Sequence, residues 1–99
     1  MNSIEHFIDG KILKGSSKRT AKVFNPATGE ASSNVNLASS ADLNKAVESA
    51  KKAFPSWSEK TPLFRARVLF KFKELIEKNY DELTKIIVSE HGKVYEDAK

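Results

Sequence analysis

Cysteine is absent from the 99 residues. A disulfide framework, a thiolate zinc site and a cysteine nucleophile are therefore excluded within them. Glycine is scarce, and its four positions, Gly10, Gly15, Gly29 and Gly92, are scattered. None forms a GxGxxG fingerprint or a P-loop, so no phosphate cradle can be read here. No apolar run approaches the roughly 18 residues that a membrane span requires. Met1 to Phe7 lacks the basic region and apolar run of a secretory signal. The expectation is a cytoplasmic chain with no membrane partner.

Hydrophobic residues make up 39% and charged residues 30%, a balance that suits one small globular unit and argues against wholesale disorder. Seventeen Lys/Arg against thirteen Asp/Glu leave a formal charge of +4. That permits contact with anions without demanding it. A chain this short has little margin for a core, because burial improves with size.

The first third reads as strands and turns. His6 to Ile8 and Lys11 to Leu13 flank Asp9-Gly10, a dipeptide that supplies the positive φ values of a type I′ hairpin turn. A polar loop over 15–20 leads to a short strand at Lys22 to Phe24. Asn25-Pro26-Ala27-Thr28-Gly29-Glu30 reads as a turn, and Ser33 to Leu37 alternates as a half-buried strand does.

The period changes at Ser39, which with Asp42 has the spacing of a capping box. Leu43, Ala46, Val47, Ala50 and Phe54 share one helical face, and Pro55 is expected to stop that helix, leaving Trp57 in the connection. Thr61-Pro62 signals the next start. Val68, Leu69, Phe72, Leu75 and Ile76 mark its expected buried stripe. Asn79 with Glu82 fits a further cap, and Gly92 fits a left-handed helix end. Val94 to Lys99 begins another element. The reading is an α+β segment over 1–99, with strands over about 6–37 and two to three helices over about 40–92.

Few residues suggest chemistry. His6 and His91 are the only histidines; Glu90 and His91 are adjacent and cannot face one ion from a helix, so no metal site is expected. Asp81-Glu82 and Glu96-Asp97 fit helix N-termini, where the dipole favours negative charge. Arg65, Arg67, Lys71 and Lys73 lie among Phe64, Phe70 and Phe72, a pattern able to hold phosphates and stack bases. Phe72 also belongs to the apolar stripe, and an exposed helix face must carry charge, so a nucleic-acid partner is not expected.

The order of segments carries more than any one residue. Phe7-Ile8-Asp9-Gly10-Lys11, Phe24 to Glu30, Ala46 to Trp57, Arg65 to Leu69, Asp81-Glu82-Leu83 and Glu90-His91-Gly92-Lys93 together resemble the N-terminal part of the aldehyde dehydrogenase superfamily. Glu5 to Lys11, Val68 to Lys73 and Ser89 to Lys93 most resemble its CoA-acylating methylmalonate-semialdehyde members. Succinate-semialdehyde and betaine-aldehyde members share much of this region.

The resemblance implies an N-terminal fragment of a longer enzyme, part of its α/β NAD-binding domain, with NAD as cofactor and CoA as cosubstrate. It implies oxidation of methylmalonate or malonate semialdehyde to propanoyl-CoA or acetyl-CoA with CO2 release. A thiolate nucleophile, general-base glutamate and oxyanion-hole asparagine would all lie outside these residues. No catalytic, cofactor-binding or metal residue is carried onto this chain. Its partners would be the rest of the dehydrogenase and further subunits of a homo-oligomer. Lys93 would serve the helix end rather than a cofactor. The alternative reading is a stand-alone basic helical binding module.

Overall fold

A computed structural model describes residues 2–99, which divide into two units. The first comprises residues up to Phe24 together with Ala31–Ser58. Its strands are β1 (Asn2–Ile4), β2 (His6–Ile8), β3 (Lys11–Leu13), β4 (Thr20–Phe24) and β5 (Ala31–Asn36), and its helix is α1 (Ser40–Ser58).

β2 and β3 form the hairpin expected around Asp9-Gly10. His6 pairs with Leu13, Phe7 with Ile12 and Ile8 with Lys11. Asp9 at φ 55° and Gly10 at φ 71° supply the two left-handed residues that a primed turn needs. The other sheet has the order β1-β5-β4. β4 and β5 are antiparallel, with an irregularity between Val23 and Phe24. β1 runs parallel to β5, pairing Asn2 with Ser33 and Ile4 with Val35. No local pattern announces β1, because a parallel partner some thirty residues away leaves no turn signal in the sequence.

α1 starts where the capping box places it. Asp42 N donates to Ser39 Oγ at 3.1 Å and Ser39 N donates to Asp42 Oδ2 at 2.9 Å. The helix does not stop at Pro55 but runs to Ser58, taking Trp57 with it. Proline forfeits the bond to the Lys51 carbonyl, yet it sits in the final turn among exposed residues, where that loss is mild. Ser58 Oγ donates to the Pro55 carbonyl at 2.9 Å and Ser56 Oγ to the Ala53 carbonyl at 3.3 Å, so serine hydroxyls take up end carbonyls.

The second unit comprises Asn25–Glu30 and Glu59–Lys99. It holds α2 (Pro62–Lys78), α3 (Tyr80–His91) and the single turn α4 (Tyr95–Ala98). Thr61 caps α2 through Phe64 N, which donates to its Oγ1 at 3.2 Å, with Pro62 at the first helical position. Asn79 divides α2 from α3, but not as a side-chain cap for α3. Its Nδ2 instead donates back to the Leu75 carbonyl at 2.8 Å, closing the end of α2. Gly92 ends α3 at φ 78°, its N–H donating to the Val88 carbonyl.

The apolar stripes are correctly placed on their helices but are not buried. Phe72 is 59% exposed and Leu75 48%; Leu43, Val47, Phe54, Val68, Leu69 and Ile76 are exposed as well. Among the described residues every buried side chain is polar: Ser33, Asn36, Asp42 and Thr84. Amphipathic periodicity says which face is apolar, and says nothing about whether a covering element exists. The accessible surface is 8138 Å².

Candidate functional site

The most connected polar cluster lies in the first unit, where the loop after β3 meets the start of α1. Asp42, 4% exposed, is its hub. Its carboxylate accepts from Ser39 N at 2.9 Å, Ser39 Oγ at 2.8 Å and Ser16 N at 3.1 Å, and also from Ser16 Oγ at 3.3 Å. Ser16 and Ser39 hydroxyls lie 2.6 Å apart. The Ser39 backbone and side-chain donors, then those of Ser16, hold the Asp42 carboxyl well below the usual carboxylate range, against a smaller opposing effect of burial. Beside it, Asn36 Nδ2 donates to the Lys14 carbonyl at 3.0 Å and Ser3 Oγ to Asn36 Oδ1 at 3.3 Å. The loop is thus tied at Lys14 to β5 and at Ser16 to α1.

Gly15 lies between those ties because nothing larger fits. At φ 83°, a Cβ there would come within 2.8 Å of His6 Cδ2, 2.9 Å of His6 Nε2 and 3.0 Å of Asp42 Oδ2. His6 Nε2 is buried and has no hydrogen-bond partner among the described residues. Ser39-Asp42 was legible as a capping box, but the reach from Ser16, 26 residues away, leaves no local trace. The cluster resembles a structural clasp: every strong donor points at a carboxylate already fully engaged. The carboxylate and both serine hydroxyls are tied up in the clasp, and His6 Nε2 is the polar atom beside it left without a partner among the described residues.

The other sequence candidates lie on separate elements or pair with neighbours. His6 lies in β2, and His91 is the last residue of α3. No group of three or more His, Asp or Glu able to hold a metal occurs among the described residues. On α2, Lys71 Nζ pairs with Glu74 at 3.1 Å and Lys73 Nζ approaches Glu77 at 3.6 Å. Lys60 lies over the Phe64 ring, 5.0 Å from its centroid. The second unit carries nine Lys/Arg and nine Asp/Glu, whereas the first carries eight against four. The whole excess of +4 therefore belongs to the first unit, and the basic stretch over 65–73 lies in a unit of zero net charge.

Asp81 and Glu82 stand in the first turn of α3, and Glu96 and Asp97 in that of α4, as the helix dipole favours. Tyr95 OH donates to Asp81 Oδ1 at 2.8 Å, raising the phenol's pKa above its ordinary value. Lys93 is exposed, one residue past the left-handed end of α3. The helix N-termini differ in what they offer an anion. That of α1 is taken by Asp42, Pro62 lacks an N–H, and α3 follows α2 after one residue. No helix is long and apolar enough to cross a membrane among these residues.

Comparison with known proteins supplies what the clasp does not. Residues 12–99 match the model of the aldehyde dehydrogenase family. The chain is 45% identical over 98 residues to a malonate-semialdehyde dehydrogenase of Pseudomonas aeruginosa, covering 99% of this chain and 20% of that protein. A Sinorhizobium meliloti 1021 protein assigned as a methylmalonate-semialdehyde dehydrogenase and crystallised with NAD is 51% identical, with a TM-score of 0.94 over 99% of this chain and 20% of that one. The methylmalonate-semialdehyde dehydrogenase DddC of Oceanimonas doudoroffii is 45% identical, with a TM-score of 0.93 and the same coverage. The chain thus spans about a fifth of the length of these relatives. The strands followed by helices among the described residues match the N-terminal part of that fold, one strand and one short helix more than the sequence reading, and the chain belongs to the aldehyde dehydrogenase family.

Proposed function

We propose that the chain is the structural opening segment of an NAD-dependent, CoA-acylating dehydrogenase of methylmalonate and malonate semialdehydes. The complete enzyme would convert the aldehyde, CoA and NAD to propanoyl-CoA or acetyl-CoA, CO2 and NADH. It would act as a homo-oligomer in the cytoplasm, where its two cosubstrates are available. The observation that carries this reading is identity of 45 to 51%, sustained over 99% of the chain, to proteins named for these substrates.

The residues present do not fit the dinucleotide. They form no glycine-rich loop, and Asp42 occupies the N-terminus of α1, the most connected polar site. No part of the hydride transfer is assigned to them. Their contribution is a set of pre-shaped elements: a pinned loop, and a capped α1 and a capped α2 that present apolar faces.

The test is an assay of the gene product that contains this sequence. Methylmalonate, malonate and succinate semialdehydes and betaine aldehyde are supplied with NAD, with and without CoA. NADH absorbance and acyl-CoA mass are followed. The expected result is CoA-dependent propanoyl-CoA and acetyl-CoA from the first two. Preference for betaine aldehyde or succinate semialdehyde, or oxidation indifferent to CoA, would overturn the substrate assignment. The 99-residue chain alone is expected to yield no NADH above a blank.

A further inference from the structure

The first unit holds a cleft between the β2–β3 hairpin and α1. The pairing register puts His6, Ile8, Lys11 and Leu13 on one face of the hairpin, and Phe7 and Ile12 on the other. On α1, Lys45, Glu48, Ser49 and Lys52 follow the i, i+3, i+4, i+7 spacing of one helical face. The two faces meet around a space of about 390 Å³, floored by Ile8 and Leu13 and bordered by Lys11, Lys45 and Lys52. That is the size of a small organic ligand. An adjoining space of about 260 Å³ shares Ile8, Leu13 and Lys45 and adds Lys14. The walls are tied at both ends. Near the turn, Ser49 Oγ donates to Asp9 Oδ1 at 3.4 Å; beyond β3, Ser16 N donates to Asp42 Oδ1 at 3.1 Å.

The ion pairs among the described residues involve Lys51, Lys71, Lys73 and Lys99, and none of the four lysines at this cleft. Those four are half of the eight Lys/Arg in the unit that carries the whole excess charge. The two carboxylates at the cleft already have partners: Asp9 accepts from Ser49, and Glu48 approaches Lys51 at 3.7 Å. We infer that the cleft binds an elongated organic dianion, with its acid groups at Lys45 and Lys52 and a hydrocarbon spacer over Ile8 and Leu13. Lys45 and Lys52 stand two helical turns apart, about 10 Å along the axis. A compact anion such as inorganic phosphate meets one end and leaves the apolar floor in water. A simple fatty acid covers the floor and leaves one lysine unpaired. An aliphatic dicarboxylate of matching length satisfies both lysines and removes the floor from water. Lys11, facing the same space from β3, adds positive potential along it.

The experiment measures azelate binding to the gene product that contains this sequence, by equilibrium dialysis, with malonate and nonanoate as comparison acids. Malonate has two acid groups without the long spacer, and nonanoate has the spacer with one acid group. Azelate is expected to bind about ten-fold more tightly than either. Amide hydrogen exchange with azelate present is expected to slow over 6–13 and 45–52. Lys45→Gln/Lys52→Gln should weaken azelate about ten-fold. Lys18→Gln/Lys22→Gln removes the same charge from the same unit outside the cleft and should leave azelate binding unchanged. All four lysines are exposed, so both variants should keep the native far-ultraviolet circular dichroism. No substrate is present, so a wrong substrate assignment leaves these outcomes unaltered. Malonate or nonanoate binding as tightly as azelate, equal effects of the two double substitutions, protection confined to other residues, or no azelate binding would each overturn the inference.

Discussion

Replacing Gly92 by alanine tests whether the end of α3 is held by backbone conformation alone or also by a contact made far away in sequence. Gly92 sits at φ 78°, a region that costs an L-residue about 1–2 kcal/mol. A Cβ there would also lie 2.9 Å from Pro26 Cγ and 3.5 Å from Pro26 Cβ. Pro26 belongs to the same unit, and its ring cannot rotate away as a flexible side chain could. Overpacking of this kind adds about 1–3 kcal/mol. Gly92→Ala should therefore cost about 2–5 kcal/mol in total. Gly29, also in this unit, provides the control: its φ is 73°, but a Cβ there would meet nothing within 4 Å. Gly29→Ala should show the backbone cost alone.

The assay is urea denaturation followed by circular dichroism on the four proteins Gly92→Ala, Gly29→Ala, Pro26→Ala and the double variant Pro26→Ala/Gly92→Ala. The double variant should recover the overpacking part and leave the backbone part, a coupling of about 1–3 kcal/mol in the cycle. Equal costs at Gly92 and Gly29, with no recovery on removing Pro26, would refute the reasoning. It would mean that the turn at 25–30 and the end of α3 are not in contact.

Asp42 sets an acid limit on the first unit. Its folded pKa lies below the unfolded value of 3.8, so its contribution is complete above that value and is lost as pH falls below it. Acid unfolding of the native chain should steepen below pH 3.8, and Asp42→Asn should be less stable at neutral pH yet lack that steepening. Tyr95 has the opposite sign: its raised pKa means that the contact with Asp81 is intact below pH 10.0 and lost as pH rises through the folded value. Tyrosinate absorbance in a Tyr80→Phe background should show a midpoint above 10.0 that falls back when Asp81→Asn is added. Thr61→Ala removes the bond to Phe64 N and should cost about 1 kcal/mol by thermal melting. Lys71→Ala, at an exposed pair, should change the same melt by no more than about 0.5 kcal/mol.

Short-range chemistry was legible in the sequence. The Asp9-Gly10 turn, the Ser39-Asp42 box, Thr61-Pro62 and the left-handed Gly92 each rest on a few adjacent residues, and each stands in the structure where the pattern put it. Long-range chemistry was not. β1 is defined by a partner strand some thirty residues on, and the clasp on Asp42 by a serine 26 residues earlier. Pro55 misled because proline is costly in a helix interior and mild in a last turn, and where the last turn lies depends on the residues after it. Apolar stripes on α1 and α2 had the period of buried faces. Burial, though, depends on which other elements lie against a face, and periodicity within one helix does not report that.

The uncovered helices also have a consequence in time. Under the reading proposed above, the segment would be the first fifth to leave the ribosome in a polypeptide as long as the Pseudomonas relative, about 490 residues. At about 5–20 residues per second, synthesis of the remainder takes roughly 20–80 s. α1 and α2, already capped and shaped, would spend that interval with their apolar faces in water, because no residue that could shield them yet exists. Under that reading, a segment with no buried apolar side chain of its own would, when newly made, be the kind of surface that chaperones bind.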